Sequence, residues 1–134
     1  MDVLIDTSVW IDYINDFRDS EEVLKLDLLL NGSSDNKAVL CPVVYQEVLQ
    51  GIKSESMFDY VKKLFGKFPM VKPDFPLIEN VAVDLYRSLR KQGITIRKSN
   101  DCLIAAYALV NDMPVLFKDR DFEAMCSHSK LRKF

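Results

Sequence analysis

The N-terminal sequence Met1-Asp-Val-Leu-Ile-Asp6-Thr-Ser-Val-Trp-Ile11 predicts a short apolar strand followed at once by an apolar helix, the pairing from which an α/β fold is built. Val3-Leu4-Ile5 does not alternate with polar residues, which is typical of a strand covered on both faces in a parallel sheet. Asp6 stands at the junction of the two elements. An acid at the carboxyl end of a parallel strand faces the crevice where open α/β sheets bind ligands.

The rest of the chain continues this alternation of strands and helices. Strands are predicted at 38–41, more weakly at 68–72 because Pro69 limits pairing, and at 115–117. Helices are predicted at about 20–30, 42–50, 54–67, 76–92 and 99–111, with a short one after Asp119. Residues 128–134 are expected to be frayed or to form an edge strand. The pattern predicts one domain over residues 1–134, a three-layer α/β/α sandwich with a central parallel sheet.

Composition places the chain among ordinary globular proteins, with 134 residues, 49% hydrophobic and 28% charged. The net charge is −2, but residues 1–85 hold 8 Lys and Arg against 15 Asp and Glu, whereas residues 86–134 hold 10 against 5. This asymmetry favours a phosphate-contacting surface beside an acidic pocket, although solvated helix faces give the same counts.

The sequence also indicates the compartment in which we expect the protein to act. It has no apolar run long enough to span a bilayer, and Asp2 and Asp6 interrupt what would be a secretory signal. Its three cysteines are widely spaced and odd in number, which is typical of small buried residues in a reducing environment. We therefore expect a cytoplasmic protein without membrane contact.

Three further carboxylates, Glu47, Asp101 and Asp119, stand at junctions comparable to that of Asp6. Asp6 or Asp119 alone is explained by helix capping, and Asp101 by the helix dipole. Glu47 is harder to explain, because it shares an apolar helix face, where an unpaired carboxylate costs several kcal/mol. If all four converge, their repulsion requires a cation.

The ligand types limit which metal is expected. The chain has a single histidine, His128, and no cysteine pair at ligand spacing, so a zinc site with nitrogen and sulfur ligands is not expected. An all-oxygen set suits Mg²⁺ or Mn²⁺. The sequence lacks GxxxxGK[ST] and GxGxxG, and Ser8 replaces the second acid that an aspartyl phosphohydrolase requires.

Four blocks of the sequence, in order, resemble the PIN-domain ribonucleases, and most closely the VapC-type toxins of bacterial toxin–antitoxin pairs. They are Ile5-Asp6-Thr7-Ser8-Val-Trp10-Ile11, Pro42-Val-Val-Tyr-Gln-Glu47-Val-Leu-Gln-Gly51, Ser99-Asn-Asp101-Cys-Leu-Ile-Ala-Ala-Tyr-Ala and Val115-Leu-Phe-Lys-Asp119-Arg-Asp121-Phe. Each block alone is weak evidence, whereas the ordered set is strong and covers nearly the whole chain.

The resemblance implies a flavodoxin-like sheet and Mg²⁺- or Mn²⁺-dependent endoribonuclease activity that leaves 5′-phosphate and 3′-hydroxyl ends. It implies that Asp6, Glu47 and Asp101 are metal ligands and catalytic residues, with Asp119 completing the set and Asp121 as a substitute for it. Thr7 or Ser8 would add a hydroxyl near the metal.

The resemblance further implies three partners: a structured RNA of the tRNA or ribosomal class, a small antitoxin, and a second copy of the chain in a homodimer. Arg97, Lys98 and Lys118 flank the acids in sequence and are the predicted phosphate contacts. Two other functions remain open at this point, an RNA-processing nuclease and a catalytically silent module that binds RNA or a partner.

Overall fold

The computed structural model describes residues 1–32 and 34–134, and within them the chain alternates strands and helices as predicted. The elements, in chain order, are β1 (Asp2–Ile5), α1 (Thr7–Ile14), α2 (Glu21–Leu30), β2 (Lys37–Val39), α3 (Pro42–Gln50), α4 (Glu55–Phe65), α5 (Leu77–Lys91), α6 (Ser99–Val110), β3 (Val115–Leu116) and α7 (Arg120–His128).

The three strands form a parallel sheet in the order β2-β1-β3, so the N-terminal strand lies at its centre. Val3 and Leu4 of β1 pair with Ala38 and Val39 of β2, while Leu4 also pairs with Val115 of β3. Successive strand residues point to opposite faces of a sheet. The three successive apolar residues of β1 are all fully buried, which requires helices on both faces. The predicted three-layer α/β/α sandwich with a parallel sheet is confirmed.

Local sequence signals explain where several helices begin and end. The hydroxyls of Ser20 and Ser54 accept hydrogen bonds from backbone N–H groups at the starts of α2 and α4, at 3.2 and 3.3 Å. Pro42 occupies the first turn of α3, where its missing N–H costs nothing. Gly93, just beyond α5, has a φ of +80°, a conformation that side chains with a Cβ rarely adopt.

The weak strand predicted at 68–72 is reduced to one parallel bridge between Leu40 and Met70. The N–H of Leu40 donates to the carbonyl of Pro69 at 2.9 Å, and the N–H of Val71 donates back to the carbonyl of Leu40 at 2.7 Å. Pro69 has no N–H to extend this ladder, which explains why the pairing stops there.

The C-terminal residues are held against the opposite edge of the sheet. The N–H of Val115 donates to the carbonyl of Arg132 and the N–H of Phe134 donates to the carbonyl of Val115, both at 2.9 Å. Leu131 is 4% exposed and belongs to the core. The expectation of a frayed end is therefore wrong, and the edge-strand alternative holds as a single parallel bridge. The apolar Leu131 gives the segment its attachment.

Changing Leu131 to Ala is expected to lower the free energy of unfolding by about 2 kcal/mol, because it removes buried apolar volume and leaves a cavity. Urea unfolding followed by circular dichroism measures this loss. Lys130→Ala, at an exposed neighbouring position, is the control and should unfold at the same urea concentration as the wild type. An unchanged midpoint for Leu131→Ala would show that the C-terminal segment does not dock.

The core lies between α6, the sheet and α1. Trp10 is completely buried, with its ring 4.9 Å from that of Phe65, so it is a packing residue of the core. Helix α6 is buried along almost its full length, and its alanines let neighbouring elements approach closely. Within the described residues, no helix combines the length and apolar character needed to cross a bilayer.

Candidate metal centre

The topology places several acids at one edge of the sheet. β1 and β3 are parallel neighbours, so their carboxyl ends lie side by side. Asp6 follows β1 directly, and Asp119 follows β3 after two residues and caps α7. Asp101 lies in the first turn of α6. The fold thus brings acids that are distant in sequence to the same crevice. In open α/β sheets, this crevice at the carboxyl ends of the strands is where ligands bind.

Asp6 is 4% exposed and acts as the N-cap of α1. Its Oδ2 accepts hydrogen bonds from the Ser8 hydroxyl at 2.6 Å and from the Ser8 N–H at 3.4 Å. Burial raises the pKa of the Asp6 carboxyl, although these hydrogen bonds oppose the shift, and the nearby charge of Glu47 raises it further. Both of these hydrogen bonds use Oδ2, so capping α1 does not prevent Asp6 from also serving as a metal ligand.

Glu47 is half-buried on α3 and is held by two other helices. The Thr7 hydroxyl of α1 donates to its Oε1 at 2.7 Å, and the Asn100 amide of α6 donates to its Oε2 at 3.4 Å. The predicted hydroxyls of Thr7 and Ser8 are thus both present at the acids, each bonded to a different carboxylate. These bonds fix the direction in which Glu47 faces.

The closest group of possible metal ligands among the described residues comprises Asp101, Asp119 and Asp121. One oxygen from each carboxylate lies within 4.8 Å of the other two. Asp101 is 6% exposed and Asp121 is 8% exposed, while Asp119 is half-buried. Both residues predicted as alternatives for the fourth acid therefore belong to the same group.

Electrostatics couple this group to the remaining acids. Burial and, to a lesser extent, the negative charges of Asp6, Asp119 and Glu47 together raise the pKa of Asp101 to about 7, against a lowering by Lys98. A carboxyl whose pKa is raised in this way lies in a buried site where a further negative charge is disfavoured. The four predicted acids therefore act on one another through space.

Arg97 is the cation in closest contact with this group. Its Nη2 donates to Asp119 Oδ1 at 2.9 Å, and its Nε donates to Asp121 Oδ2 at 3.1 Å. Its backbone N–H also donates to Asp121 Oδ2, at 3.1 Å. These carboxylates keep the pKa of the guanidinium above its usual value.

The other two predicted phosphate contacts, Lys98 and Lys118, differ in their surroundings. Lys98 directly precedes α6 and is exposed. Lys118 forms an ion pair with Asp12 of α1, and its ammonium group lies 5.8 Å from the centre of the Phe17 ring. Phe17 is 53% exposed in the chain, so it lies outside the core.

The donor set fits a divalent cation that prefers oxygen. The closest ligand group contains only carboxylates, which suit Mg²⁺ or Mn²⁺. Burial raises the pKa of Cys41 and of Cys102 to about 11, so both thiols are protonated at neutral pH. His128 is exposed at the far end of α7. Arg97 offsets part of the negative charge of this group, and a bound divalent cation would offset more of it.

One contributor is absent from the sequence predictions and another has a different role from the one predicted. Asn100 is not among the predicted site residues, yet its amide reaches Glu47 across 53 positions of sequence. Its place directly before Asp101 was the available signal. Asp121 was treated only as a substitute for Asp119, whereas the two share Arg97. A pair of acids two residues apart at a helix start does not by itself show such sharing.

Comparisons with known proteins identify relatives along nearly the whole chain. A model of the PIN domain matches residues 3–127. The chain is similar to the VapC ribonuclease Mb1587 of Mycobacterium bovis and to ribonuclease VapC11 of Mycobacterium tuberculosis. It is 28% identical to each over 131 residues, which are 97% of this chain and 96% of each relative.

Solved structures show the same fold. VapBC2 from Rickettsia felis, bound to a DNA fragment from its promoter, matches with a TM-score of 0.78 at 19% identity, covering 100% of this chain and 98% of that chain. VapBC-1 from nontypeable Haemophilus influenzae matches with a TM-score of 0.75 at 20% identity, and the match covers 100% of this chain and 97% of that chain. A toxin–antitoxin complex from Klebsiella pneumoniae has a TM-score of 0.65 at 18% identity and covers 90% and 89%. Because the family model spans all but the first two and last seven residues, the chain belongs to the PIN domain family.

Proposed function

We propose that this chain is a Mg²⁺- or Mn²⁺-dependent endoribonuclease that hydrolyses RNA phosphodiester bonds and acts as the toxin of a toxin–antitoxin pair. The observation that carries the proposal is the convergence of acids on Asp101, whose pKa is raised to about 7 by burial and by its acidic neighbours. Such a pocket is suited to a cation and a phosphate rather than to an apolar ligand. The names of the curated relatives, VapC ribonucleases, support the same activity.

In this proposal the carboxylates bind the cation, and hydrogen bonds from hydroxyl groups orient the carboxylates. Asp6, Glu47, Asp101 and Asp119 are the proposed ligands, with Asp121 beside them. The Ser8 hydroxyl keeps Asp6 in place, and the Thr7 hydroxyl does the same for Glu47. When bound, a divalent cation supplies an acidified water and offsets the charge that develops on the phosphate. Water adds to phosphorus and the bond to the 3′ oxygen breaks, which leaves 5′-phosphate and 3′-hydroxyl ends.

The proposed substrate is RNA of the tRNA or ribosomal class, contacted through its phosphates. We assign this role to Lys98, whose charge acts on Asp101, and to Lys118, which directly precedes Asp119 in the chain; both belong to its basic half. Cations beside an acidic pocket draw the nucleic acid toward it and offset repulsion between its phosphates and the carboxylates.

The proposed partners are a small antitoxin and a second copy of the chain. Structural neighbours of the fold are VapBC complexes, which supports the first. Apolar side chains also remain exposed on the described surface: Ile11, Leu24 and Leu28 on α1 and α2, and Val83 on α5. Large exposed apolar side chains in groups are typical of protein contact surfaces. Val83 borders an apolar groove between α5 and α6, and we propose this groove as the dimer contact.

Purified protein is expected to cut structured RNA in Mg²⁺ or Mn²⁺ and to leave it intact in excess EDTA. Gel analysis of end-labelled RNA measures the cleavage. Ligation of a 5′ adaptor that requires a 5′-phosphate tests the predicted ends. Restoring Mn²⁺ after EDTA should restore cleavage, which controls for irreversible damage.

Two results would contradict the proposal. Cleavage that persists in EDTA would show a metal-independent nuclease. RNA that stays intact in the presence of metal, while still bound by the protein in a filter assay, would favour the silent binding module instead.

A further inference from the structure

The contacts of Arg97 point to a role in positioning the metal ligands. We propose that Arg97, anchored by Asp121, holds Asp119 in the orientation in which it presents one oxygen to the cation beside Asp101. Arg97 is thereby a positioning residue and Asp121 its anchor. The inference rests on the proposed metal site and gives two of its acids different roles: Asp119 binds the cation, and Asp121 anchors Arg97.

The anchoring step is visible in the contacts of Asp121. A single oxygen, Oδ2, accepts both the backbone N–H and the Nε–H of Arg97, each at 3.1 Å. The side chain of Asp121 is 11% exposed, against 26% for Asp119. A buried carboxylate that binds main chain and side chain of the same residue fixes both the path of the chain and the plane of the guanidinium.

The positioning step is visible in the contacts of Asp119. Its Oδ1 accepts the Arg97 Nη2–H at 2.9 Å and the backbone N–H of Asp121 at 2.8 Å. Its Oδ2 accepts no hydrogen bond from the described part of the chain. One oxygen is thus held by two donors while the other has none, an arrangement typical of carboxylates that bind metals and are themselves oriented by a hydrogen-bond donor.

Arginine is suited to this task in a way that lysine is not. Its planar fork places Nε and Nη2 on two different carboxylates at fixed spacing, whereas a lysine offers a single ammonium point charge. A guanidinium used in this way holds two like charges close together before the cation arrives. The same contacts leave Arg97 less available for phosphate than the exposed Lys98.

The test measures Mn²⁺ binding to the purified chain by titration calorimetry, for the wild type, Arg97→Lys and Arg97→Gln. We expect the Mn²⁺ dissociation constant to rise about 10–100-fold in both variants, the usual effect of removing a residue that orients a ligand. Arg90→Lys is the matched control, because the Arg90 guanidinium lies over the Tyr86 ring. This variant should bind Mn²⁺ as tightly as the wild type does.

Each alternative role predicts a different result. If Arg97 acted only as a competing positive charge, Arg97→Gln would bind Mn²⁺ more tightly and Arg97→Lys would not change. If it acted only as a phosphate contact, both variants would keep their Mn²⁺ affinity and raise the KM for RNA. Either result overturns the inference and leaves the nuclease proposal intact. A wild type that binds no Mn²⁺ would overturn both.

A second pair of variants tests the division between the acids. Asp119→Asn is expected to weaken Mn²⁺ binding at least tenfold. Asp121→Asn keeps an acceptor oxygen for Arg97 but removes a charge from the group, so its Mn²⁺ dissociation constant should rise less than that of Asp119→Asn. The reverse ranking would overturn the assignment. Melting temperatures in EDTA show whether each variant is folded, and the ranking of the two acids tests the division between ligand and anchor even if the Arg97 variants do not fold.

Discussion

Changing Asp6 or Asp101 to Asn is expected to reduce RNA cleavage on the order of a thousand-fold, or about 4 kcal/mol of barrier. Asn has nearly the same shape as Asp but carries no charge, so it weakens cation binding with little steric change. The size of the effect follows from the site, because a cation held by the acids offsets charge on the phosphate. Rates of cleavage of a labelled RNA in Mn²⁺ measure the loss.

The Asp6 variant is a fair test because the fold should survive it. Asp6 caps α1 through the Ser8 N–H, and Asn is as good an N-cap as Asp. Asp59→Asn, which removes an exposed carboxylate from α4, is the matched control and should cleave normally. Undiminished cleavage by both site variants would reject the assignment of these acids.

The second large effect concerns stability, and here Asp101→Asn is expected to act in opposite directions with and without metal. Mn²⁺ at about 100 times its dissociation constant should stabilise the wild type by about 2.7 kcal/mol, roughly 10 °C in melting temperature. The variant should lose most of this gain. In EDTA at pH 8, however, it should melt a few degrees above the wild type, because it no longer carries a buried charge among other acids.

The pH dependence follows from the pKa of Asp101, which is about 7 in the folded chain against an ordinary value of 3.8. Between these values the folded chain holds a proton that the unfolded chain has released, so stability falls as the pH rises through this window. The advantage of the variant in EDTA should therefore be clearly smaller at pH 5 than at pH 8. Differential scanning calorimetry at the two pH values checks this. Equal melting temperatures of the wild type and Asp101→Asn in EDTA at pH 8 would show that the charge of Asp101 does not destabilise the folded chain.

Much of the fold was predictable because its signals are local. Ser20, Ser54, Pro42 and Gly93 mark helix ends by capping or by backbone conformation, and each acts where the sequence predicted. The unalternating run in β1 predicted burial on both faces. The two short edge segments were less predictable, because one hydrogen-bonded bridge leaves no periodic pattern in the sequence.

The convergence of the acids was predictable from the sequence, whereas their contacts were not. Asp6 and Asp119 meet because they follow neighbouring parallel strands that end at one edge of the sheet, while Asp101 comes from the first turn of α6, which follows another helix. Which donor meets which oxygen depends on side chains from distant helices. The bonds from Asn100 to Glu47 and from Arg97 to Asp121 join positions 53 and 24 residues apart, and spacing along the chain does not encode them.

The two single-bridge segments at the sheet margins have a consequence for solubility. An unprotected outer strand is a template onto which another chain can add, leading to aggregation. Here Pro69 lies at one margin, and Arg132 and Lys133 lie at the other. Proline cannot donate to an incoming strand, and like charges repel a second copy. The chain should therefore resist stacking into fibrils at high concentration, even though its central strands are strongly apolar.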